Sequence, residues 1–175
     1  MRFLPRRRTW PASLALLALL LPALALAQMI FERADIRIES PQLTGKEKNP
    51  KPPHMPVTYS VELRGEDALK LEYIHTLNSL ADDNGVLINF NDAAIVPLPA
   101  MKVYTPVDVL FVAEDGTVLQ IMPAVTLGDI AQSVTAHAPV KAFLFLKNGE
   151  AEHRGLHPQD MVRGSMFTPP LPVQD

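Results

Sequence analysis

Residues 101–121 read MKVYTPVDVLFVAEDGTVLQI. The apolar run Val107 to Ala113, broken only by Asp108, leads into Glu114-Asp115-Gly116-Thr117, and apolar residues return from Val118 to Met122. Asp-Gly between two apolar runs is a hairpin signature, because the turn needs residues that tolerate positive φ. Alternation along a strand puts Val107, Val109 and Phe111 on one face and Asp108, Leu110 and Val112 on the other. An aspartate with those neighbours sits at a rim or partly inside, and a buried carboxylate needs hydrogen bonds or a cation. Lys102 is the nearest cation in sequence, and Tyr104-Thr105-Pro106 can turn the chain enough for contact. The leading reading is structural: an internal ion pair, or a carboxylate capping loop amides. A ligand site using Lys102 and Asp108 together ranks second. Catalysis ranks last, because no nucleophile with a positioned base accompanies the pair.

Outward from this hairpin the same period recurs. Val57 to Leu63 alternates, Val86 to Phe90 is a short apolar strand, and Val140 to Leu146 (VKAFLFL) is a second strong strand followed by the turn Lys147-Asn148-Gly149-Glu150. Met29 to Glu39 reads as a strand through Ala34, Ile36 and Ile38. Between it and Val57 lies SPQLTGKEKNPKPPHMP, too rich in proline for regular structure. Glu66 to Leu80 changes period: Leu69, Tyr73, Leu77 and Leu80 recur at helical spacing, which predicts one amphipathic helix. His153 to Val162 reads as a loop entering a short closing strand. The expected architecture is mainly β: a compact antiparallel barrel-like or sandwich domain with one short helix, its mode of closure open. The expected divisions are a leader over 1–27, a strand and Pro/Lys-rich loop over 28–56, a β-rich core over 57–163 and a Pro-rich tail over 164–175.

The leader is read from MRFLPRRRTW, which carries four arginines, and the apolar PASLALLALLLPALALA ending in Ala25-Leu26-Ala27. A basic start, an apolar stretch and small residues at the exit make a secretory signal peptide, with cleavage after Ala27. A retained anchor is the alternative, with a stretch near the lower limit for spanning a bilayer. The expected location is the periplasm or the medium. Without its leader the chain keeps 12 of its 16 Lys and Arg against all 19 Asp and Glu, a net charge of −7. That balance argues against nucleic acid as a partner. There is no cysteine, so thiol chemistry and thiolate metal sites are excluded and stability rests on packing.

Two segments together resemble a known family. Met101-Lys102, Pro106-Val107-Asp108, the apolar Val109 to Val112 and Gly116 come first; Ala142, Gly149, Gly155 and Pro158-Gln159-Asp160-Met161-Val162 follow. Their order and spacing across roughly residues 57–163 resemble the prokaryotic proteins catalogued as domain of unknown function 192. The resemblance implies a small β-rich domain with one helix, often exported, and adds no activity. Several of the family's residues differ here. The Pro-Gly-Asp of the family is Pro158-Gln159-Asp160, and the aromatic pair ahead of Met-Lys is Pro99-Ala100.

Three functional classes remain. The first is an exported binding or interaction module, with Lys102, Asp108, Tyr104 and His137 as the candidate residues and an unknown small molecule or envelope protein as partner. The second is a structural envelope protein without a ligand site. The third is a hydrolase using Asp108 and Asp160, which needs two carboxylates facing one cleft, about 5–9.5 Å apart in glycosidase-like geometry. No catalytic residue, metal site or cofactor is assigned. His153 and His157, with His137 or Asp160, match no known metal spacing.

Overall fold

Alternating apolar residues build a single curled sheet. The computed structural model describes residues 31–41, 52–70, 75–98, 104–126 and 136–167. Its strands are β1 (Arg33–Glu39), β2 (Val57–Gly65), β3 (Asn84–Ala94), β4 (Val107–Val112), β5 (Val118–Val125), β6 (Val140–Lys147) and β7 (Met161–Arg163). Their order in the sheet is β5-β4-β6-β3-β2-β1-β7. Both strong apolar runs, β4 and β6, are inner strands, and all six residues of β4 are buried. A strand covered on both faces can be apolar at nearly every position.

The two faces of β4 meet different clusters, as alternation requires. Val107, Val109 and Phe111 join Val86, Ile88, Phe90, Phe143 and Phe145 on the outer face, where Leu77 and Leu98 cover them. Phe143 is the hub there, with its ring centroid 5.0 Å from that of Phe111, 5.2 Å from Phe90 and 6.4 Å from Phe145, all edge-on. Leu110 and Val112 join Ile36, Ile38, Tyr59, Val61, Leu87, Leu144 and Leu146 in the interior of the curl. Asp108 lies on this inner face, fully buried.

The sheet's two edges meet at one end. Thr117 forms an antiparallel bridge to Met161. Val118 N–H donates to Asp160 O (2.8 Å), Gln159 N–H to Val118 O (2.7 Å) and Val162 N–H to Gly116 O (2.8 Å). The start of β5 thus reaches β7, which pairs with β1. The fold is barrel-like, with part of its seam closed by main-chain hydrogen bonds.

Two expectations are corrected. The described parts of the expected amphipathic helix are two 3₁₀ segments, Glu66–Lys70 and His75–Asn78. Among the described residues the α-helix, α1, is Glu150–His153, where the sequence suggests a turn and loop. The expected mainly β, barrel-like sheet is present, with antiparallel pairs throughout except for β2 and β3, which run parallel. Residues 66–83 link them, long enough for the crossover that parallel strands need. β1 is integral to the sheet, between β2 and β7. Beyond β7, Phe167 still packs into the interior. The leader, the rest of the Pro-rich tail and most of the Pro/Lys-rich loop lie outside the described residues.

Candidate functional site

Asp108 is held by main-chain amides. Its Oδ1 accepts from Ala124 N–H and its Oδ2 from Ala151 N–H, each at 2.9 Å. Ala124 lies in a bulge of β5: Val107 pairs with Val125 and Val109 with Met122, so one extra residue faces Asp108. Ala124 is left-handed there, at φ 53°. Ala151 is in the first turn of α1, whose N-cap Gly149 offers no side chain. Asp108 therefore caps a helix from a distant strand and steadies a strained bulge. Lys102 lies outside the described residues.

Asp160 is buried at the seam. Its Oδ2 accepts from His157 N–H (2.6 Å) and lies 3.0 Å from His54 Nε2. His54 Nδ1 is 2.8 Å from Met55 O. Both ring nitrogens therefore face acceptors. The short Pro-rich piece that carries His54 is tied to the seam by this contact and by His54 N–H donating to Ser40 Oγ at 2.9 Å. Asp108 and Asp160 are each committed to their own donors, and neither lines the three hollows described below.

Above α1 the polar groups form a chain. Glu150 Oε1 accepts from Arg154 Nε (2.7 Å) and from Tyr59 Oη (3.3 Å), and Arg154 Nη2 donates to Asp83 Oδ1 at 2.6 Å. Burial and the adjacent Glu150 charge push the Tyr59 phenol well above its ordinary value. At the surface nearby, Lys147 Nζ pairs with Asp82 Oδ1. That contact lowers the Asp82 carboxyl and raises the Lys147 ammonium.

Two hollows meet at this end. One, of about 230 Å³, is lined by Leu77, Leu80, Pro106 and Val107 on its apolar side and by Asn78, Thr105, Lys147 and Asn148. The other, of about 200 Å³, is polar, lined by Asp82, Lys147, Asn148, Gly149, Glu150 and His153. They share Lys147 and Asn148. Asn78 Oδ1 accepts from Tyr104 N–H (2.9 Å) and Thr105 N–H (3.3 Å), which fixes the amide orientation. Its Nδ2 is buried without a hydrogen-bond partner. A buried donor left unpaired costs about 1–3 kcal/mol. A third hollow, of about 170 Å³, lies between Asp115, Val162, Arg163, Gly164 and Phe167.

Of the residues expected to form a site, Tyr104 is 80% exposed and its main chain borders the first hollow through Asn78. His137 is also exposed, and neither side chain lines the hollow at Asn78. Among the described residues no three His, Asp or Glu side chains gather as a metal site. Asn78, Lys147, Asn148 and Glu150 were missed as a group. Lys147-Asn148-Gly149-Glu150 reads locally as a plain turn, and no local pattern connects it with Asn78.

One family model, described as "Uncharacterized ACR", matches residues 58–164. No curated protein matches the chain. Two crystal structures share the fold. A protein from Sinorhizobium meliloti 1021, described as a "putative transcription regulator", is 22% identical with a TM-score of 0.64, over 81% of this chain and 100% of that one. A protein of unknown function from Novosphingobium aromaticivorans DSM 12444 is 20% identical with a TM-score of 0.62, over 79% of this chain and 91% of that one.

Proposed function

The chain belongs to the family of that model, domain of unknown function 192, and on that premise we propose that it is an exported interaction module that takes one apolar anchor residue of an envelope protein into the hollow at Asn78. The observation that carries this reading is the buried, unpartnered Nδ2 of Asn78, a residue in the wall of an otherwise largely apolar hollow. A main-chain carbonyl beside a leucine-sized side chain meets both demands. At about 230 Å³ the hollow is smaller than the roughly 300–1,000 Å³ of drug-sized sites, so one anchor residue suits it better than a large ligand. The leader's basic and apolar parts support export. The net charge of −7 after its removal argues against a nucleic-acid partner, whatever the description of one structural neighbour says of that protein.

The test is an NMR titration of the exported protein, whose first residue by mass is expected to be Gln28, with N-acetyl-leucine methylamide. At about 0.3 kcal/mol per heavy atom this probe has a dissociation constant on the order of 1 mM. The side-chain amide of Asn78 and the main-chain amide of Asn148 should shift. Asn78→Asp keeps the acceptor for Tyr104 and Thr105 but removes the free donor, and should weaken the probe about tenfold. Unmoved Asn78 signals at roughly ten times that concentration, or equal binding by the variant, would overturn the proposal.

A further inference from the structure

The chain contains two Asn-Gly pairs, Asn84-Gly85 and Asn148-Gly149, and the fold treats them oppositely. Gly85 is buried inside the sheet, opposite Val61 of β2 on one side and Leu146 of β6 on the other. A Cβ there would lie 3.0 Å from Phe145 O and 3.2 Å from both Leu146 Cδ2 and Val61 Cγ1. Asn148-Gly149 follows the last residue of β6, Lys147. Both residues are exposed. Gly149 is left-handed at φ 79°, and nothing lies within 4 Å of a Cβ built on it.

We propose that Asn148 is a site of spontaneous covalent modification, in which it loses its side-chain amide through Gly149. The Gly149 main-chain nitrogen gives up its proton and bonds to Asn148 Cγ. The Cγ–Nδ2 bond breaks, and ammonia leaves with the proton. The five-membered imide that results is opened by water. Addition at Cγ breaks the new bond and leaves aspartate. Addition at the main-chain carbonyl breaks the original peptide bond and leaves isoaspartate, with the backbone running through the former side chain. Water is the only co-reactant, and the net change is amide plus water to carboxylic acid plus ammonia. Glycine is the residue that makes this attack easy, since it has no side chain to crowd the nitrogen and can follow the ring's backbone geometry.

The product bears on the site. Either outcome places a carboxylate in the wall shared by the two hollows, beside Lys147 and near Asp82 and Glu150. Isoaspartate also lengthens the main chain between β6 and α1, three residues before Ala151, whose N–H donates to Asp108. The reaction itself is read by mass and stands whether or not the hollow takes an anchor residue.

The test holds the purified, folded protein at 37 °C in mildly alkaline buffer. Peptides are then followed by mass spectrometry and by labelling with an isoaspartyl methyltransferase. The peptide with Asn148 should gain roughly one dalton and take the label. Asn84 should react at least about tenfold more slowly, because its reaction waits on opening of the sheet. Unfolding in urea should bring Asn84 up to a comparable rate. Asn148→Gln, a slower-reacting residue of the same chemistry, should remove the label from that peptide. If Asn148 in the folded protein outlasts Asn84 in the urea-unfolded chain, or if folded Asn84 reacts as fast as Asn148, the proposal fails.

Discussion

Gln159 stands at φ 84°, a conformation that costs a residue with a Cβ roughly 1–2 kcal/mol. It is held there by its neighbours. Its own N–H donates to Val118 O, and the next residue, Asp160, receives His157 N–H. The resemblance to the family places glycine at this position. Gln159→Gly should therefore raise stability by about 0.5–1 kcal/mol, the relief being partly offset by the freer unfolded chain. In calorimetry that is a rise of about 1–4 °C for a domain of this size, and a fall would show that the side chain contributes more than its backbone strain costs. Asp108 shows how far a single residue can be read from sequence. Alternation put it on the face of Leu110 and Val112, where it is. Its partners, Ala124 and Ala151, lie 16 and 43 residues away, and a main-chain amide carries no sequence signal. A carboxylate capping loop amides is one form of the structural reading; the charge of a nearby lysine is visible in sequence, and a bulge is not.

Elements were legible where the pattern is period two and the strand is well covered. β4 and β6 follow from VDVLFV and VKAFLFL with nothing else known. The span 66–80 was harder, because apolar residues at spacings of three and four suit any helical turn that covers a sheet, and 3₁₀ turns do so here through Leu77. α1 was hidden for another reason. It is one turn long, too short for any periodicity, and its place is set by tertiary contacts: Ala151 in the interior, Asp108 on its amide, and Glu150 between Tyr59 and Arg154. Tyr59 gives that arrangement a measurable signature. Its phenol is raised by burial and then by Glu150, so above about pH 10 the unfolded chain loses this proton while the folded chain keeps it. The folded state then binds more protons, and stability falls as pH rises through the unfolded value. Tyr59→Phe should flatten that alkaline decline in urea-denaturation curves measured from about pH 9 to 11. At neutral pH the same change should cost no more than about 1.5 kcal/mol for one long hydrogen bond. An alkaline slope identical to that of the unsubstituted protein would remove Tyr59 from the account.

At the scale of the whole molecule, barrel and sandwich are both compatible with seven short strands, and periodicity cannot choose between them. The choice lies in a few contacts between residues 116–118 and 159–162. Gly116 belongs to them: at φ 89° a Cβ would lie 2.3 Å from Val162 O. So does Asp160, whose main-chain oxygen receives Val118 N–H while its carboxylate receives His157 N–H and faces His54. His54 precedes the stretch matched to the family, so a side chain outside that stretch completes the buried surroundings of a residue inside it. Removing one partner of a buried pair costs more than an exposed pair is worth, because the other is left under-satisfied. His54→Ala should destabilise the protein by about 2–4 kcal/mol, the remaining His157 amide keeping the loss below the upper end seen for buried pairs. His54→Gln, whose amide can still donate to Asp160, should recover part of it. The loss should also be local before it is global. Hydrogen exchange at Val118, Gln159 and Val162, whose amides close the seam, should accelerate more than exchange in the β3–β6 ladder, which the seam does not touch. Equal acceleration throughout would mean that His54 supports the whole sheet and has no particular hold on its closure; no acceleration at the seam would mean that the main-chain bonds close the barrel without it.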